Sequence, residues 1–174
     1  MKKIWTLAFA LVACALTSMA QSIPQEIFGV KIGETLPEEV TNILTEQDIE
    51  YDSKYLNTYY YKGNIKHEGI EWNDMQLIFA NNKLSGCVLI KDCKEDCDSL
   101  RLALVDSLKT KYQTIPTADS SLYSFDHYIR GYSEPWSIFD GNMMLSVYKR
   151  TYGFACSYFH ESNIKEYLIA KHIE

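Results

Sequence analysis

The chain has no basic cluster. Its 17 lysines and arginines stand against 23 aspartates and glutamates in 174 residues, a formal charge of −6. Such a chain is repelled by nucleic acid and by anionic membrane surfaces, so neither is expected as a main partner. Glycine is scarce, at eight residues, and nowhere forms a phosphate-cradling loop. There is no zinc-protease helix motif. Ser133, in Gly131-Tyr132-Ser133-Glu134-Pro135, lacks the following glycine that a nucleophile elbow needs. The apolar run Ile4–Leu16 is too short to span a bilayer as a mature helix.

That run has another use. Lys2 and Lys3 precede it, and Ser18-Met19-Ala20 places small residues where a signal peptidase reads. Residues 1–20 therefore have the pattern of a bacterial secretory signal peptide cut before Gln21. An alternative is a lipoprotein box, Leu11-Val12-Ala13-Cys14, with Cys14 lipidated. The segment before Cys14 is short for that role, and the residues after it are not a polar tether. The expected location is periplasmic or secreted, without membrane insertion once the signal is removed. Loss of Lys2 and Lys3 leaves 15 basic against 23 acidic residues, a charge of −8.

Four cysteines remain after Cys14 leaves: Cys87, Cys93, Cys97 and Cys156. An exported chain can keep disulfides, and four cysteines allow three complete pairings. Cys87 and Cys156 sit in predicted strands, where they either meet across a sheet or are plain buried thiols. Cys93 and Cys97 lie four apart at a predicted helix start. As half a metal site they would need a second pair at ligand spacing, which is lacking. Asp92, Glu95, Asp96 and Asp98 would raise a nearby thiol's pKa, which opposes a reactive redox pair. A local disulfide or two free thiols is the simpler reading, and no cofactor or metal is implied.

The organising stretch is Gly69–Ile90. Met75, Leu77 and Phe79 alternate with Gln76, Ile78 and Ala80, the pattern of a strand buried mainly on one side. Asn81-Asn82 suits a hairpin turn because asparagine tolerates positive φ. The return strand places Leu84, Gly86, Val88 and Ile90 on one face and Ser85, Cys87 and Leu89 on the other. Apolar residues on both faces point to a central strand.

Elsewhere the pattern predicts a helix over 36–47, with Thr35 as N-cap, Glu38 completing a capping box and Pro37 in the first turn. Tyr51–Asn57 reads as a loop, Thr58–Lys62 as a strand and His67–Trp72 as a short strand. A second helix begins at Asp92-Cys93-Lys94-Glu95, carries a stripe of Leu100, Leu104, Val105, Leu108 and Tyr112, and ends before Pro116. Strands follow over 121–130, 136–139, 143–149 and 152–160, with a last weak helix capped by Ser162.

Ile32-Gly33-Glu34-Thr35, three residues and Glu39-Val40 resemble the opening of the SmpA/OmlA-like outer-membrane assembly lipoproteins and of β-lactamase-inhibitor-protein-like domains. Leu77-Ile78-Phe79 followed by Asn82-Lys83-Leu84 is similar to their strand-turn-strand. The resemblance covers Phe28 to Ile90 and implies a small antiparallel sheet behind a helix. The lipid anchor of the outer-membrane family has no convincing counterpart here.

The expected fold is α+β: an antiparallel sheet with helices packed on one face. Residues 21–174 form one domain, with possible half-units 28–90 and 91–160 in which Trp72 and Trp136 hold similar places. Candidate catalytic groups do not assemble. Cys156 and His160 share a strand face but lie about 13 Å apart at ~3.3 Å per residue. His67-Glu68 and Asp126-His127 read as surface pairs. Glu68, Glu71, Asp74, Glu134 and Asp140 are dispersed, and nothing selects two of them as a glycosidase pair. The aromatic surplus is the informative feature. Tyr59, Tyr60, Tyr61, Trp72, Tyr128, Tyr132 and Trp136 are many for one sheet face to bury, and exposed Tyr and Trp make good contact area. The expectation is a non-catalytic exported interaction or inhibitor-like module. It would touch a protein or glycan through a helix-free sheet face carrying Tyr59, Tyr60, Tyr61, Trp72, Tyr132 and Trp136. An envelope-assembly component and an enzyme with a dispersed site are the alternatives.

Overall fold

The computed structural model describes residues 21–93, 97–112 and 136–160. Within them the α+β expectation holds. Seven antiparallel strands form the main sheet: β3 (Ile49–Tyr55), β4 (Thr58–Gly63), β7 (Asp74–Ala80), β8 (Lys83–Asp92), β9 (Trp136–Asp140), β10 (Met143–Arg150) and β11 (Gly153–His160). Their spatial order is β3-β4-β7-β8-β11-β10-β9. Two small hairpins lie outside it: β1 (Glu26–Ile27) with β2 (Val30–Lys31), and β5 (Ile65–His67) with β6 (Ile70–Trp72). The helices are α1 (Pro37–Thr45) and α2 (Asp98–Lys111).

Each half of the main sheet runs inward. β3, β4, β7 and β8 step from one edge to the centre, and β9, β10 and β11 step in from the other. β8 and β11 meet in the middle, with Val88 opposite Ser157. Trp72 and Trp136 do not hold similar places, because Trp72 is on β6, off the main sheet, and Trp136 is on β9, within it.

Both helices pack on one face. Val40 and Leu44 of α1 and Leu104, Val105 and Leu108 of α2 join Met75, Leu77, Phe79, Cys87 and Leu89 in a single buried cluster. The stripe predicted for α2 is nearly right, but Leu100 is exposed and Arg101 is buried in its stead. Arg101 is held by Asp98 at 3.1 Å, and Asp98 also receives Lys149.

Local rules place the elements with shifts of a few residues. α1 starts one residue later than predicted. Its N-cap is Leu36, whose N–H donates to Glu39 Oε2 at 2.9 Å, while Thr35 Oγ1 accepts instead from Lys31 N–H. β8 runs on to Asp92, so α2 begins at Asp98 and not near Asp92. The stretch 51–57 is mostly strand β3 and not loop, because its polar side chains lie on an edge where alternation has little to bury. The stretch 67–72 is a hairpin and not one strand: Glu68 and Gly69, at φ 50° and 73°, form its turn.

The β7–β8 turn is Asn81-Asn82, at φ 48° and 60°, as the residue types predict. The register just beyond it differs. Phe79 pairs with Leu84 while Ile78 pairs with Gly86, so Ser85 is an extra residue in β8. This bulge turns Leu84 to the helix side, with Cys87 and Leu89, away from Val88 and Ile90.

The face opposite α1 and α2 is buried at its centre. Ile78, Val88, Ile90, Met144, Ala155 and Phe159 form a second buried cluster, drawn among the described residues from sheet strands alone. The expectation of an open far face is therefore corrected there. Predicted elements over 121–130 and after Ser162 lie outside the described residues.

Candidate functional site

The predicted aromatic residues do not gather on one surface. Tyr61 is buried, paired with Met75, its hydroxyl 3.4 Å from Thr41 Oγ1 of α1. Trp72 is buried as well, its ring packed edge-on to Phe154 and its Nε1–H donating to the carbonyl of His67. Both are core residues with no surface to offer a partner, because strand alternation and the β5–β6 hairpin turn them inward. Trp136 sits on β9, five strand spacings from β4, about 24 Å at ~4.8 Å each. Tyr132, like Tyr128, lies outside the described residues. Only Tyr59 and Tyr60 remain together, and they point to opposite faces of β4.

What the structure adds is the neighbouring strand. Tyr51 and Tyr55 of β3 are 47% and 70% exposed, and Leu56 at the hairpin tip is 63% exposed. A bulge between Tyr51 and Ser53 sets Tyr51 opposite Tyr61 and Lys54 opposite Tyr59. Tyr51, Lys54 and Tyr59 are thus on the helix-bearing face, whereas Tyr55 and Tyr60 share the other face. Tyr51 contacts the rings of Tyr59 and Tyr61 edge-on, and Tyr59 contacts Phe79 with centroids 4.9 Å apart. Lys54 Nζ donates to the Tyr59 hydroxyl at 2.9 Å and lies 4.6 Å from the ring centroid. Sequence reasoning missed Tyr51 and Tyr55 because 51–57 looked like loop.

The tip carries backbone strain. Tyr55 pairs with Thr58, leaving a two-residue turn of Leu56 and Asn57. Leu56 has φ 51°, a left-handed conformation that suits Gly or Asn and costs a branched residue about 1–2 kcal/mol. The tip is anchored by the Asn57 carbonyl, which accepts from Phe79 N–H at 2.9 Å. Beside it, where the start of α1 and the two hairpin turns converge, lies a groove of about 210 Å³ lined by residues that include Tyr59, Phe79, Asn57, Asn81 and Asn82.

A second polar constellation is buried. His67 Nε2 and the Tyr158 hydroxyl share a 2.8 Å hydrogen bond. Glu68, next in the chain, accepts from Lys111 Nζ at 2.7 Å and from the Tyr112 hydroxyl at 3.0 Å. The surface reading of His67-Glu68 is corrected: their side chains are 19% and 10% exposed. Asp126-His127 lies outside the described residues. Burial drives the His67 pKa down, against the pull of Glu68 and with the push of Lys111. Burial pushes the Cys156 thiol up to about 12 and Cys87 higher still. The Cys156 thiol is therefore not activated, and Cys156 and Tyr158 have no accessible surface.

The cysteines resolve into one bridge, Cys93–Cys97, and two buried free thiols, Cys87 and Cys156, on adjacent strands. Among the described residues no three His, Cys, Asp or Glu side chains gather as a metal site would, and no helix is long and apolar enough to cross a membrane. The dispersed acids stay apart in role. Asp140 accepts from Ile23 N–H, and burial followed by Asp92 raises the Asp74 pKa.

Comparison of the chain with protein-family models, curated proteins and solved structures finds no match.

Proposed function

We propose that the chain is an exported, non-catalytic interaction module whose contact surface is the tip of the β3–β4 hairpin. The observation that carries the reading is Leu56. A large apolar side chain stands exposed in a strained left-handed turn, between the exposed Tyr55 and the Asn57 anchor. Local stability favours Asn or Gly at that position, so an exposed leucine there argues for a contact made by its side chain. Tyr55, next to it, adds rigid, amphipathic area on one sheet face, and Tyr51 and Tyr59 add it on the other.

The contact is made by side chains and not by strand addition. β3 is an edge, but its bulge at Asp52 and its charged Glu50, Asp52 and Lys54 discourage main-chain pairing. Asp52 is further engaged with Lys62 at 2.9 Å. Export is supported by the leader pattern of residues 1–20 and by the Cys93–Cys97 disulfide, which persists in oxidising compartments. The partner is a protein or a glycan.

Photo-cross-linking in the producing cell tests this. A diazirine amino acid at position 55 should give a discrete adduct in the envelope or secreted fraction, and one at position 106, on the exposed side of α2, should not. Equal labelling at the two positions, or none at position 55, would remove the hairpin tip as the contact surface.

A further inference from the structure

Residues 21–23 tie two distant ends of the fold together. The Gln21 N–H donates to the carbonyl of Lys111 at 3.1 Å, and Gln21 forms a parallel bridge with Tyr112. Two residues on, Ile23 is 3% exposed, and its N–H donates to Asp140 Oδ2 at 3.0 Å. The segment therefore runs from the end of α2 to the end of β9 and is held at both points. The cut expected from the sequence falls between Ala20 and Gln21, at the nitrogen that makes the first of these bonds. We infer that the α-ammonium released by that cut docks on the C-terminal carbonyls of α2, where it strengthens the fold and shields Gln21 from cyclisation.

The end of α2 favours a cation. Tyr112 N–H donates to the Leu108 carbonyl and closes the helix, so the carbonyls after Leu108 have no partner within it. They carry the negative end of the helix dipole. In the uncut chain Gln21 offers this end one neutral N–H. In the cut chain the same nitrogen carries a full charge. Gln21 is exposed, so the added N–H groups keep their water and the charge is not buried. The neighbouring cations are already answered by acids. Lys111 Nζ lies 2.7 Å from Glu68, which also accepts from the Tyr112 hydroxyl, and Lys109 Nζ lies 3.5 Å from Asp106. Asp140, at the far end of the segment, is a further carboxylate.

An N-terminal glutamine is also reactive. Its neutral amine attacks its own Cδ: the N–Cδ bond forms, the Cδ–Nε2 bond breaks, and ammonia leaves with the proton that the amine gives up. The Gln21 carboxamide makes no hydrogen bond with a described residue, so it is free to meet the amine. A docked ammonium has no lone pair to attack with. By linkage, the factor by which docking favours the charged amine is the factor by which it depletes the neutral one.

Three forms of the exported chain test this: one beginning with a free Gln21 amine, one cyclised at Gln21 by glutaminyl cyclase, and one with Gly-Ser added before Gln21. All three keep an N–H at residue 21, and only the first has its charge there. In denaturant unfolding at low salt, the free-amine form should have an unfolding constant about two- to fivefold smaller than the other two, as expected for a charge at an exposed helix end. The difference should vanish in ~1 M salt, where such charges are screened. Gln21→Ser, which cannot cyclise, should keep the same advantage over its own extended form. Uncatalysed loss of ammonia, read by mass spectrometry, should be slower by a similar factor in the folded chain than in a peptide of residues 21–27. Equal unfolding constants, a difference that survives high salt, or equal cyclisation rates would overturn the inference. So would a lipidated Cys14 as the first residue of the chain in its own cells. None of these measurements involves the hairpin tip, so cross-linking from position 55 is decided separately.

Discussion

His67 Nε2 lies within 2.8 Å of the Tyr158 hydroxyl, although 91 residues separate them in the chain. The contact ties the β5–β6 hairpin to the centre of the main sheet. One residue on, Glu68 ties the same hairpin to the end of α2 through Lys111 and Tyr112. A small two-stranded unit, too short to be stable alone, is thereby fixed by polar groups at its turn.

This geometry makes stability depend on pH with a definite sign. Burial holds the native His67 pKa below the ~6.5 of an unfolded chain. Between those two values the unfolded chain binds a proton that the native chain refuses, so stability is full above ~6.5 and falls as pH drops through it. The urea midpoint should decline between pH 7.5 and 5.5, and His67→Gln should flatten that decline. An equal slope in the two proteins would remove His67 as its source.

Gly86 sits where no side chain fits. A Cβ there would overlap Cδ1 and Cε1 of Phe159, whose ring covers the glycine on the face opposite α1 and α2. Gly86→Ala should cost about 1–3 kcal/mol by overpacking. Pairing it with Phe159→Leu should recover part of that loss in a double-mutant cycle measured by denaturant unfolding. Additive losses would mean that the two residues do not press on each other.

The hairpin tip should trade stability for contact. Leu56→Asn relieves the left-handed strain and should raise unfolding free energy by about 1 kcal/mol, read from chemical denaturation. The same change should reduce cross-linking from position 55. A stabilised variant that cross-links as well as the parent would show that the leucine is not a contact residue.

The thiols divide into two kinds. Iodoacetamide should leave Cys87 and Cys156 unlabelled in the native protein and label both after unfolding, because burial keeps them protonated and covered. Reduction of Cys93–Cys97 should add two more labelled sites and lower stability by ~2 kcal/mol, the chain-entropy value for so short a loop, without unfolding the sheet. Mass spectrometry of the alkylated chain reads the counts.

The sequence by itself determined the α+β class, the β7–β8 hairpin and the apolar stripe of α2. Each rests on local periodicity, 2.0 or 3.6 residues, and on turn residues such as Asn81-Asn82, and these act over a few residues. It also showed a surplus of aromatic residues. It could not say which aromatics are exposed. Tyr59, Tyr60 and Tyr61 read alike in the chain, yet Tyr61 is sealed beneath α1 while its neighbours stand near the surface. Tertiary structure alone decided that division, and with it the closing of the far face, the pairing of Cys93 with Cys97 and the meeting of His67 with Tyr158. The reason is physical: burial of a given side chain depends on which distant segment packs over it, and a one-residue bulge such as Ser85 reverses a face without leaving a mark in the local pattern.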